Sequence, residues 1–150
     1  MYQNWLRFVM FLFLFISSLA HAYSNHNVTA WTQRILTDTF SASYRETNAE
    51  VFAVQKNYSH AAWAPLNEFF NHELKIIKKY KLSSHPRPLM DPTIVKAGQL
   101  LGAECWRVTQ SFNIPELHMN IACSVLVMNN DKSKETPYLI QSIDLKIRHY

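Results

Sequence analysis

The feature that most limits the possible folds of this chain is a change in hydrophobic period near Tyr80. From about Val28 to Tyr80 the apolar residues recur at helical spacing, and after Tyr80 they alternate as in strands. The connections in the second half are short, and short connections favour antiparallel neighbours. The sequence therefore predicts an α+β fold, in which N-terminal helices pack on an antiparallel sheet of about four strands.

Three helices are predicted in the first half, from about Val28 to Tyr44, Ala49 to Gln55 and His60 to Lys79. Ser59 has the side chain of an N-cap for the third helix. One side of this helix is apolar, and it needs a broad apolar partner such as a sheet. Glu73 breaks the pattern, because it projects from the middle of the apolar side between Phe69 and Ile77.

Four strands are predicted in the second half, over Thr93–Gln99, Glu104–Phe112, Leu117–Met128 and Tyr138–Ile147. The proline-rich stretch LSSHPRPLMDP precedes them. Because proline cannot donate a ladder hydrogen bond, this stretch is predicted to be irregular or a short edge strand.

The N-terminal 22 residues have the organisation of a secretory signal peptide. Arg7 precedes an apolar run from Phe8 to Ile16 and an Ala-His-Ala site that ends at Ala22. The run is shorter than the roughly 20 residues that span a bilayer. We predict cleavage between Ala22 and Tyr23, which leaves one exported domain of residues 23–150. The alternative is an uncleaved signal that tethers the domain to the inner membrane.

The only two cysteines, Cys105 and Cys123, are predicted to form a structural disulfide. An exported chain enters an oxidising compartment, where an even number of cysteines is usually bridged. The seven histidines are scattered without the spacing of a metal site, and no C-x-x-C motif is present. The sequence therefore predicts neither a metal nor a cofactor.

The strand register supports this disulfide only in part. A three-residue loop at 113–115 would place Cys105 opposite Cys123, close enough for a bridge. The alternation of apolar residues instead favours a register that puts Trp106 and Val108 beside apolar residues of the next strand. A bulge, or a sheet covered on both faces, would reconcile the two, and we retain the disulfide as the prediction.

No catalytic motif is present, neither a nucleophile elbow, a zinc-protease helix, a P-loop nor Rossmann glycines. With only two glycines, a phosphate-binding loop is also excluded, and a net charge of +4 is too small to indicate nucleic-acid binding. The sequence predicts a protein that is not an enzyme.

Two candidate binding features remain. Glu73 is an acid or base in a pocket, a carboxylate paired with Arg45 or Arg107, or a solvated residue that a slightly different rotation of the helix frees from the apolar side. The lysines of the third helix, at Lys75, Lys78 and Lys79, either meet anionic headgroups or an acidic partner, or form an ordinary solvated face.

The aromatic framework of the chain resembles the IcmL/DotI family of type IVB secretion proteins. The matching positions are Trp31, Phe40, Tyr44-Arg45, Phe52 and Trp63, and the similarity spans most of residues 28–147. It implies a periplasmic domain of nuclear transport factor 2-like architecture, in which helices wrap a curved antiparallel sheet.

The resemblance also implies a function. We expect a non-enzymatic binding or scaffold module associated with a type IVB secretion apparatus, in contact with its protein subunits or with a second copy of itself. A peripheral contact with the inner membrane is compatible with this. Because this chain has a signal peptide where the family has a membrane helix, a soluble paralogue is expected. The competing class is a cavity-containing small-molecule-binding or isomerase-like protein that uses Glu73 in a pocket.

Overall fold

The structure is a computed structural model that describes residues 25–133 and 135–150. The signal peptide and its cleavage site lie outside the described residues. Within these residues, the elements are α1 (residues 25–40), α2 (Asn48–Gln55), α3 (His60–Tyr80), β1 (Arg87–Pro88), β2 (Thr93–Leu100), β3 (Ala103–Ile114), β4 (Met119–Asn129) and β5 (Tyr138–His149). The predicted α+β order is confirmed.

The first helix ends at residue 40, earlier than the predicted Tyr44. Tertiary hydrogen bonds replace helical ones from this point. The Ala42 N–H donates to the Ser84 hydroxyl at 2.8 Å, and the Ser84 N–H donates to the Ala42 carbonyl at 2.8 Å. Ser43 then bridges to Ser83. The segment before β1 therefore determines where α1 ends, and periodicity alone does not reveal it.

The third helix begins as predicted, with Ser59 as its N-cap. The Ser59 hydroxyl accepts from the Ala62 N–H at 3.1 Å and donates to the Gln141 carbonyl at 2.9 Å. The Ser59 N–H also donates to the Ile140 carbonyl at 2.8 Å. These bonds fix the N-terminal end of α3 against β5.

All strand pairs are antiparallel. The sheet runs from β3 through β4 to β5, and the short β1 and the longer β2 share the other edge of β3. Two residues of the proline-rich stretch, Arg87–Pro88, thus form a short edge strand, which is one of the two alternatives predicted. Every second residue of β4 up to Val127, and of β3 from Trp106 onwards, is buried under α1 and α3. These residues form the sheet side of the core: Trp106, Val108, Phe112, Ile114, Met119, Ile121, Val125 and Val127.

The predicted disulfide is wrong. Cys105 lies opposite Met128, and Cys123 lies opposite Gln110. Buried positions alternate along β3, so Gln110 and Cys123 face the core while Cys105 lies on the other face. Side chains on opposite faces and at distant register positions cannot reach the Cα separation of roughly 4.4–6.8 Å that a disulfide needs. Both thiols are free, and burial raises the pKa of Cys123 to about 12.

The turn between β3 and β4 explains the register. It is a 3-10 turn at Pro115–Leu117 followed by His118 in the left-handed conformation, with φ of 49°.

Partial burial opposes ionisation of Glu116 in this turn. Hydrogen bonds from its own main chain and from the N–H and ring of His85, at 3.2 and 2.8 Å, outweigh this and lower the pKa of the carboxyl.

Candidate functional site

Glu73 is buried, as its position on the apolar side of α3 predicts. It is 4% exposed, and it lies on the same face as Leu66 and Ile77, which are also buried. An ionised carboxylate is almost never fully buried unless it is paired. The buried carboxyl group of Glu73 therefore needs a charged or hydrogen-bonding partner.

The predicted arginine partners lie elsewhere. Arg107 pairs with Asp144 at 3.4 Å, and the guanidinium of Arg45 lies 5.1 Å from the centre of the Tyr44 ring. His72 Nε2 is 3.9 Å from Glu73 Oε1, which is too long for a hydrogen bond. The other oxygen, Oε2, is buried and has no hydrogen-bond partner among the described residues. One side of the carboxylate is thus left without a partner.

An open groove of about 1040 Å³ lies beside Glu73, between α3 and β5. Its described lining residues are Pro65, Glu68, Phe69, His72 and Glu73 from α3, Ser124 from β4, and Ile143, Asp144, Leu145, Lys146, Ile147 and His149 from β5. Because consecutive residues of a strand point to opposite faces, this set shows that the groove follows the edge of β5.

That edge is partly free. At its start, the segment at 57–59 pairs with β5, where the Ile140 N–H donates to the Asn57 carbonyl at 2.9 Å. Beyond Gln141, the described part of the chain provides no strand on this side of β5. The second half of β5 therefore presents unpaired backbone groups next to Glu73.

The charge of the groove differs from that of the chain. Its described lining carries three carboxylates, at Glu68, Glu73 and Asp144, against one lysine, Lys146. Arg107 pairs with Asp144, which leaves Glu68 and Glu73 against Lys146. The whole chain has a net charge of +4 with neutral histidines. The groove is therefore an acidic region on a basic protein.

The predicted lysine cluster does not join this groove. Lys75, Lys78 and Lys79 are exposed on the solvent side of α3, and the described lining of the groove includes none of them. The Lys79 ammonium lies 5.1 Å from the centre of the Tyr80 ring. The structure brings the three lysines onto one surface, and a role for them in binding remains a prediction.

A second, smaller cavity lies between the three helices, and the sequence pattern does not indicate it. It measures about 70 Å³, and its lining includes Asp38, Glu46, Trp63 and Phe70. Burial, with a smaller contribution from Glu50, raises the pKa of Glu46. Glu46 follows α1 in an irregular segment, where no periodicity distinguishes it from a solvated loop residue.

Comparison of the sequence with protein families and with curated proteins finds no match. Solved structures do match. The periplasmic domain of DotI superposes with a TM-score of 0.66 at 17% identity, covering 79% of this chain and 92% of that domain. This chain has the same fold as the periplasmic domain of DotI. The α+β, nuclear transport factor 2-like architecture expected from the resemblance is confirmed.

Two further structures support this fold. A periplasmic fragment of TraM matches with a TM-score of 0.70 at 13% identity, over 81% of this chain and 96% of the fragment. An IcmL-like type IV secretion system protein from Legionella pneumophila matches with a TM-score of 0.58 at 11% identity, over 83% and 94%. Among the described residues, no helix is long and apolar enough to span a membrane, and no cluster of metal-ligating side chains is found.

Proposed function

We propose that this protein is a non-enzymatic periplasmic binding or scaffold module of a type IVB secretion apparatus and acts through protein–protein contacts. The observation that carries the proposal is the fold. Three solved structures, described as periplasmic domains or as a type IV secretion protein, superpose on 79% to 83% of this chain. The predicted signal peptide gives the same compartment.

The surface of the sheet supports a role in protein contact. In the described part of the chain, β2 pairs with β3 along one side only, and its other side is open. Apolar side chains are exposed on and next to this strand, with Val95 58% and Leu101 96% exposed. An open strand edge with apolar side chains is a ready template for pairing with another chain.

Site-specific photocrosslinking in intact cells tests the proposal. A photoreactive residue at Val95 should form adducts with subunits of the secretion apparatus, identified by mass spectrometry. The matched control is Phe52, which is 69% exposed but belongs to α2 and not to the sheet. Adducts that contain only unrelated periplasmic proteins, or equal adducts at both positions, would contradict the proposal.

The alternative class, a pocket protein that uses Glu73, has one observation in its favour. The buried Oε2 of Glu73 has no hydrogen-bond partner among the described residues, and the Glu73 residue lines an open groove. The two classes differ in the occupant of that groove, which is a small molecule in one case and a polypeptide in the other.

A further inference from the structure

We propose that the groove between α3 and β5 binds an extended segment of a partner protein and receives a lysine or arginine side chain of that segment at Glu73. The claim that the occupant is a protein rests on the proposed function. The claim that a cation is recognised rests on the groove itself.

The first argument is the state of the carboxylate. The Glu73 side chain is 5% exposed, and its Oε2 has no hydrogen-bond partner among the described residues. A buried charge is retained in proteins when it is paired and hydrogen-bonded. Glu73 also lines the groove, so a guanidinium or ammonium there would donate to its carboxyl group in a short charge-assisted hydrogen bond.

The second argument is the free strand edge. Beyond Gln141, the described residues offer β5 no neighbour on the side that faces the groove. An added strand gains main-chain hydrogen bonds from such an edge, and pockets for alternate side chains give specificity. Alternate residues of an added strand would point towards α3, where Glu73 lies.

The third argument is size and lining. The groove of about 1040 Å³ is slightly larger than the roughly 300–1,000 Å³ range of small-molecule pockets. A single amine would leave most of it empty, whereas an extended segment would fill its length. Phe69, Ile143 and Leu145 provide apolar surface for the stem of a long basic side chain. Although the chain as a whole is basic, the acidic lining of this groove favours a basic segment of the partner protein.

Peptide titration of the full exported protein tests the inference. The probes are the blocked peptide Thr-Val-Lys-Val-Thr and the same peptide with norleucine in place of lysine. Binding is measured by calorimetry and by amide shifts in NMR spectra. We expect the lysine peptide to bind about tenfold or more tightly, because a charged hydrogen bond is replaced by an alkyl group. Shift changes should fall on residues 142–149.

Two variants locate the effect. Glu73→Gln should remove the preference for lysine over norleucine and leave the affinity for the norleucine peptide unchanged. Glu68→Gln, an exposed carboxylate on the same helix and in the same groove, should keep the preference. Equal affinities of the two peptides for the wild-type protein would refute the inference without any variant, as would no binding at millimolar concentration.

A small-molecule occupant gives a different result. If n-pentylammonium alone binds as tightly as the lysine peptide, the groove is an amine site and the polypeptide claim is wrong. Failure of the peptides to bind, together with secretion-subunit adducts at Val95, would refute this inference alone. Binding of the lysine peptide without such adducts would refute only the link to the secretion apparatus.

Discussion

Replacement of Glu73 by methionine should stabilise the unbound protein. Methionine has a similar length and no charged group, so it fills the same space between Phe69 and Ile77. The substitution removes an oxygen that is buried without a partner among the described residues. A buried unsatisfied polar group costs about 1–3 kcal/mol. We therefore expect the free energy of unfolding to rise by about 1–3 kcal/mol.

Urea unfolding followed by tryptophan fluorescence measures this change, because Trp31 and Trp106 are buried in the core. The midpoint should rise without a change in the slope with urea concentration. The matched control is Glu68→Met. Glu68 is exposed on the same helix, and its replacement should change the free energy of unfolding by less than about 0.5 kcal/mol.

A loss of more than about 1 kcal/mol in Glu73→Met would refute the reasoning. It would mean that the carboxylate has a stabilising partner within the free protein, and the argument for an external cation would lose its basis. A gain in stability accompanied by loss of the preference for lysine peptides would identify Glu73 as a residue kept for binding at the expense of stability.

Three further predictions concern the core and the turn. Without reductant, Cys105 should react with a thiol reagent in the native protein. Cys123 should react only after unfolding, because burial raises its pKa to about 12. If neither thiol reacts in the native protein, the disulfide prediction would stand again. The Tyr58 and Thr39 hydroxyls lie 2.7 Å apart in the core, so Tyr58→Phe and Thr39→Val should each cost about 1–2 kcal/mol. The double variant should lose less than the sum, and additive losses in urea unfolding would show no coupling. The pKa of Glu116 is lowered from 4.5 in the folded protein, so its ionised carboxyl stabilises the fold. This stabilisation is fully present above pH 4.5 and is lost as the pH falls through the folded-state pKa. Glu116→Gln should flatten the acid fall in stability, and acid curves parallel to wild type would contradict this.

The sequence was sufficient to predict the elements and their order. The bounds of α3, its Ser59 cap and the burial of Glu73 follow from helical spacing and from cap chemistry, which are local properties. The strands were also predicted to within a few residues, because their apolar residues alternate. The end of α1 was missed because it depends on hydrogen bonds to Ser84, a residue far along the chain.

The register error has a physical cause. Two signals in the sequence disagree, and the disulfide prediction follows the weaker one. Apolar alternation indicated that Trp106 and Val108 face apolar residues of β4, and they do lie opposite Val127 and Val125. The disulfide required a different register, which would have moved these side chains off the buried face. A one-residue slip moves every apolar side chain to the wrong face, and this costs far more than one disulfide provides.

The groove was not predictable from local pattern. It exists because β5 lies at the edge of the sheet and because the pairing with the segment at 57–59 stops at its first residues. Both facts depend on strand order, which periodicity does not determine. The sequence does show that Glu73 interrupts an apolar face, and the structure buries this residue, but the pattern does not reveal its surroundings.

The two open edges of the sheet can act independently. β2 and β5 lie at opposite sides of the strand order, separated by β3 and β4. The β2 edge carries exposed apolar side chains such as Val95, whereas the β5 edge is flanked by α3 and Glu73. The scaffold function that we propose requires contact with more than one polypeptide, and we assign one contact to each edge. Glu73→Gln should therefore weaken lysine-peptide binding and leave photocrosslinking from Val95 unchanged. Loss of both together would show that a single partner spans the two edges.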